Sequence, residues 1–142
     1  MNIFFDTSSL FKLYHKENGT QELMDFFINN TIDSIFLAEI TKIEFSSVVW
    51  KKCRKREIDE KTATIFIEKF DNDSRNFKFL AESNDLKKYA KELIGKHWEK
   101  GLRTLDSIQL ASALIQKSRI DLFFTSDILL SEIAVLEGLK IQ

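Results

Sequence analysis

Residues 2–14 read Asn-Ile-Phe-Phe-Asp-Thr-Ser-Ser-Leu-Phe-Lys-Leu-Tyr. Ile3 to Phe5 is a short apolar run that stops at Asp6 and Thr7, the pattern of a buried strand ending at a polar edge. Working outward, Ser34 to Ala38 and Phe77 to Ala81 repeat this form, and Asp121 to Ser126 supplies a fourth run. Between them, apolar residues recur at helical spacing over Thr20 to Asn29, Thr41 to Glu57, Glu60 to Asp71, Leu86 to Lys100, Leu105 to Lys117 and Ile128 to Glu137. Strands that alternate with helices predict an α/β domain, with a mainly parallel sheet, helices on both faces and a last short strand at Leu139 to Ile141.

The 142 residues are 44% hydrophobic and 30% charged, enough apolar material for the core of one globular domain spanning 1–142. No proline, only four glycines and no low-complexity run mark a linker. The formal net charge is -1, so no global attraction to nucleic acid is implied and any such binding must be local. A single cysteine, Cys53, excludes an internal disulfide and a multi-cysteine metal site, which fits a reducing cytoplasm. The start has neither the basic residues nor the apolar run of a signal peptide, and no segment is long enough to span a membrane.

In a parallel α/β sheet, the carboxyl ends of the strands and the N-termini of the helices meet at one edge. Asp6 ends the first run and Asp127 the fourth, Asp106 opens the helix in RTLDSIQLASAL, and Glu44 opens another in ITKIEFSSVVW. Carboxylates gathered there repel one another unless a cation sits between them. Oxygen donors without a neighbouring His or Cys favour Mg2+ or Mn2+ over Zn2+. A water acidified by such an ion, its proton taken by a carboxylate, can attack phosphorus, which is phosphodiester hydrolysis.

Each acid also has a structural explanation. Thr41-x-x-Glu44 matches a capping box with Ile40 and Phe45 at staple positions. Asp106 and Asp127 are favourable in a first helical turn, and Asp6 can cap a helix beginning near Ser8.

Four segments in order resemble the PIN-domain family, specifically the VapC-like toxins of toxin–antitoxin pairs: FFDTSSLFKLY at 4–14, ITKIEFSSVVW at 40–50, LRTLDSIQLASAL at 102–114 and DLFFTSDILLSEIAVLEGLKI at 121–141. The resemblance implies a three-layer α/β/α fold and a magnesium- or manganese-dependent endoribonuclease. It also implies a homodimer held in check by a small VapB-like antitoxin. Carried over residue by residue, it gives Asp6 and Asp106 as metal ligands, with Asp127 and Glu44 completing the acidic pocket and Ser8 and Ser126 supporting it. Phe11, Leu13, Tyr14, Val48 and Trp50 become candidates for dimer or antitoxin contacts.

Departures from the family lie in the generic segment 57–84 and in the lack of an arginine cluster beside the acids. The basic run Lys51, Lys52, Arg54, Lys55 and Arg56 can contact phosphates or simply favour a helix end. Thirteen phenylalanines suit a core or subunit contact better than base stacking, and His15 and His97 are isolated from any metal motif. Two rivals stand beside the nuclease. One is a catalytically silent PIN-fold module that binds RNA or protein; the other is a phosphatase using Asp6 as nucleophile, which would ordinarily place a second Asp where Ser8 stands.

Overall fold

The computed structural model describes residues 1–142. Four strands, β1 (Asn2–Phe5), β2 (Ser34–Ala38), β3 (Phe77–Leu80) and β4 (Leu122–Phe124), form one sheet in the order β3-β2-β1-β4. All three pairings are parallel, with Phe4 beside Phe36 and Phe123. The helices are α1 (Thr7–Phe11), α2 (Thr20–Asn29), α3 (Thr41–Arg54), α4 (Glu60–Asp73), α5 (Asn84–Lys96), α6 (Thr104–Ile115) and α7 (Ile128–Leu136).

Strand side chains alternate between faces, and the core divides accordingly. Ile3, Phe5, Leu37 and Phe124 point to one side, where they pack with Leu10 and Phe11 of α1, Leu23 of α2, Phe45 and Val49 of α3, and Phe70 of α4. Phe4, Phe36, Ala38 and Phe123 point to the other, against Leu86, Ala90 and Leu93 of α5, Leu110 of α6 and Ile133 of α7. The result is the expected three-layer α/β/α arrangement. Because both faces of β1 are covered from Ile3 to Phe5, those side chains are apolar without alternation. Aromatic rings fill the first layer, with Phe45 stacked on Phe70 at 4.2 Å and edge-on to Tyr14 at 4.9 Å. No helix is long and apolar enough to cross a membrane.

Some element ends differ from expectation. β4 is shorter than 121–126 because the Asp121 carboxylate accepts from Asn2 N while Thr125 turns its hydroxyl toward Asp6. α3 stops at Arg54 rather than Glu57. Its last turn closes with Arg56 N–H on Cys53 O and Glu57 N–H on Lys52 O, and Arg56 takes the left-handed φ of 60° that such a cap requires. α5 ends at Lys96 instead of Lys100. His97 leaves helical geometry, and a single tight turn, Trp98–Lys100, leads into Gly101 at φ 78°. The last strand reduces to one bridge, Ile141 beside Phe123.

Phe11 is a correction to the contact surface drawn from the sequence: it lies inside the core between Phe45 and Phe66, and Leu13 and Tyr14 pack against the same cluster. Of that set Trp50 remains substantially exposed.

Candidate acidic site

Asp6 directly follows β1 and caps α1. Its Oδ1 accepts from Ser9 N at 2.7 Å, both oxygens lie 2.9 Å from Ser8 Oγ, and Oδ2 accepts from Thr125 Oγ1 at 2.5 Å. All of these partners are neutral, and the residue is only 4% exposed. Burial therefore dominates, pushing the carboxyl from an ordinary 3.8 up to about 6 despite the hydrogen bonds that favour its charge. The buried carboxylate lacks a counter-charge.

Thr125 ties Asp6 to the next acid, because its Oγ1 also accepts from Asp127 N at 3.1 Å. Asp127 caps α7, with Oδ1 accepting from Leu130 N at 2.9 Å. Its Oδ2 accepts from Arg103 Nη2 at 2.7 Å, and the Nε of the same guanidinium donates to Asp106 Oδ2, also at 2.7 Å. Asp106 lies in the first turn of α6, whose N-cap is Arg103.

Glu44 stands in the first turn of α3 and does not close the capping box that Thr41-x-x-Glu44 suggested. Ile40 is the N-cap and makes no side-chain cap bond. The Glu44 Oε2 instead accepts from Thr7 Oγ1 at 2.7 Å and Gln109 Nε2 at 2.5 Å. Buried Thr41 faces the same amide at 3.1 Å. Thr7 neighbours Asp6 and Gln109 lies one turn beyond Asp106, so this second network abuts the first at the carboxyl edge of the sheet. Capping explains Asp6 and Asp127 geometrically; it does not explain Glu44.

In this arrangement no three His, Cys, Asp or Glu side chains gather closely enough to form a metal-holding group. Arg103 spans two of the acids and supplies one positive charge, while Asp6 and Glu44 are held by neutral donors. The chemistry of the donor set nevertheless fits a hard divalent ion, since every candidate ligand is a carboxylate and buried Asp6 has no cationic partner. Asp6, Asp106, Asp127 and Glu44 are the residues that would hold it.

Several contributors had escaped the sequence reading. Gln109 was visible only as a polar residue inside the apolar helix IQLASAL, and Arg103 only as a base three residues before Asp106. Thr125, rather than Ser126, supports Asp6; Ser126 Oγ pairs with Ser9 Oγ at 3.0 Å. Ser8 does bond Asp6, as anticipated. In the basic run, Lys51, Lys52 and Lys55 border a groove whose wall also includes Ser8, Glu17 and Glu57, and Lys52 is paired with both of those acids. His97 is buried against Glu137, its Nε2 2.6 Å from Oε1, which ties the end of α5 to the end of α7. His15 packs between Phe11 and Phe66.

Among solved structures, the fold is similar to that of VapC20 from Mycobacterium tuberculosis, a sarcin-ricin loop cleaving toxin. The TM-score is 0.70 at 17% identity, over 92% of this chain and 93% of that one. VapBC2 from Rickettsia felis, solved on a DNA fragment from its promoter, aligns over 100% of this chain and 98% of its own, with a TM-score of 0.68 at 16% identity. VapBC-1 from nontypeable Haemophilus influenzae gives 0.67 at 12% identity, over 100% and 97%. No curated protein matches the chain by sequence. At such identities these structures establish likeness of fold alone. The PIN-domain family model, however, matches the sequence itself from residue 3 to 136, and the chain belongs to the PIN-domain family.

Proposed function

We propose that this PIN-domain chain is a divalent-metal-dependent endoribonuclease, the toxin of a toxin–antitoxin pair, acting in the cytoplasm as a homodimer restrained by a VapB-like antitoxin. The observation that supports the reading is a run of hydrogen bonds that links Asp6 to Asp127 through Thr125 and Asp127 to Asp106 through Arg103, with Glu44 in a neighbouring network through Thr7. Structural likeness to VapC toxins and VapBC complexes supports the toxin role and the partner.

Asp6 and Asp106 would be the principal ligands of Mg2+ or Mn2+, with Asp127 and Glu44 completing the set. Bound there, the ion supplies positive charge against phosphate oxygens and acidifies an attacking water. The chain's own residues do the rest. Thr125, Ser8 and the Ser9 amide fix both oxygens of Asp6, and Thr7 with Gln109 aims Glu44. A carboxylate of the set would take the proton from the water as its oxygen bonds to phosphorus, while the opposite P–O bond to a ribose oxygen breaks and that oxygen leaves, taking a proton from solvent. Exposed Ile43 and Trp50 on α3 and Ile65 on α4 offer apolar area to a protein partner.

The test is cleavage of mixed cellular RNA by purified, antitoxin-free protein with Mg2+ or Mn2+, compared with EDTA and with Asp6→Asn and Asp106→Asn. Metal-dependent cutting lost in both variants supports the nuclease. A folded protein that binds RNA, cuts nothing and behaves identically in both variants supports the catalytically silent module instead.

A further inference from the structure

We propose that Arg103 is an exchangeable cation built into the site: its guanidinium spans Asp106 and Asp127 until a divalent ion takes these carboxylates, and the released arm then binds a phosphate of the RNA. This rests on the metal-dependent reading above.

The geometry is that of one planar fork reaching two acids from different elements, Nε to Asp106 Oδ2 and Nη2 to Asp127 Oδ2, each at 2.7 Å. The Arg103 side chain is 68% exposed, whereas the Asp106 and Asp127 side chains are 20% and 28% exposed. Charge, and not enclosure, therefore holds the arm in place. Arg103 is the N-cap of α6 with extended backbone, φ -83° and ψ 160°, so the side chain leaves from the helix end and can swing aside without disturbing helical packing. Exposed ion pairs of this kind are weak, which makes the contact reversible.

A single guanidinium balances one of the two charges it touches and none of those on Asp6 and Glu44. A divalent ion carries more charge into the same place and competes for the same oxygens. Once displaced, the fork matches a phosphate as well as it matched carboxylates, and it stays tethered three residues from Asp106. Metal loading and phosphate capture are thus coupled through one side chain.

The experiment is calorimetric titration of Mn2+ into the full chain, without RNA, for wild type, Arg103→Gln, Arg103→Lys and Asp106→Asn. Releasing two exposed ion pairs should tighten Mn2+ binding in Arg103→Gln on the order of two- to thirtyfold. Arg103→Lys should fall between, and Asp106→Asn should bind more weakly than wild type. In parallel, a 2′-O-methyl oligoribonucleotide should lose affinity in Arg103→Gln when Mn2+ is saturating and keep it in EDTA. Equal or weaker Mn2+ binding in Arg103→Gln overturns the proposal, because Arg103 would then support the carboxylates instead of competing for them. Equal loss of oligonucleotide with and without Mn2+ also overturns it, because the arm would not be exchanging. If wild type, Arg103→Gln and Asp106→Asn all fail to bind Mn2+, the metal-dependent reading itself fails, a result distinct from either of these.

Discussion

Replacing Asp6 by Asn in metal-free buffer should stabilise the protein at neutral pH and leave it unchanged in acid. Burial raises this carboxyl from 3.8 to about 6, so between those values the native state keeps a proton that the unfolded chain has released. Stability then falls as pH rises through that window, since the unfolded state binds fewer protons there. A difference of roughly two units at about 1.4 kcal/mol per unit costs the wild type about 3 kcal/mol by pH 7. Asn is neutral at every pH and nearly isosteric. Its oxygen can still accept from Ser9 N, and the hydroxyls of Ser8 and Thr125 can rotate to accept from its amide. Urea or thermal unfolding of both proteins in EDTA at pH 4, 5, 6 and 7 measures the gap. It should be near zero at pH 4 and open to about 3 kcal/mol at pH 7, worth roughly 2–4 °C of Tm per kcal/mol at this size. A variant no more stable than wild type at pH 7, or a gap independent of pH, would refute the claim that Asp6 is held as a buried, uncompensated charge.

Gln109→Leu removes the amide donor from Glu44 and should cost about 1–3 kcal/mol in urea unfolding, with RNA cleavage reduced alongside. Arg56→Gly, at φ 60° in the cap that ends α3, should add about 1 kcal/mol, read as a higher urea midpoint at unchanged slope. Replacing Lys51 and Lys55 by Gln should weaken single-stranded RNA binding and lower the salt slope of log K by roughly 1.4, about 0.7 per lost phosphate contact. The same change at Lys87 and Lys91, exposed on α5, should leave the slope unaltered.

What the sequence disclosed tracks the strength of local signals. The runs at Ile3–Phe5 and Phe36–Ala38 are buried on both faces, so their uninterrupted apolarity was itself the sign of a central parallel strand. Asp6 and Asp127 were legible because each stands where an apolar run gives way to a helix start. Element ends were less legible because backbone geometry and single long-range contacts decide them: α3 ends in a left-handed backbone cap at Arg56 that no periodicity encodes, and His97 ends α5 by leaving helical geometry beside Glu137. Thr41 and Glu44 misled in a definite way. Their spacing satisfies a local box, yet long-range partners, Thr7 and Gln109, took both side chains. Arg103 drew no role because its bond to Asp127 joins residues 24 apart.

The strand order β3-β2-β1-β4 sets a schedule for a nascent chain. β1 is the first strand to emerge and β4 the last, yet β4 pairs with β1 directly, and Asp6 receives its shortest hydrogen bond from Thr125. Until residues near 127 have left the ribosome, β1 has one open edge and the acids at 6, 44 and 106 lack their fourth member. Closure by so distant a segment is entropically slow, so the edge that gathers the acids is completed late in folding. A growing chain therefore cannot bring Asp127 beside Asp6 until the segment around β4 is free to fold back onto β1.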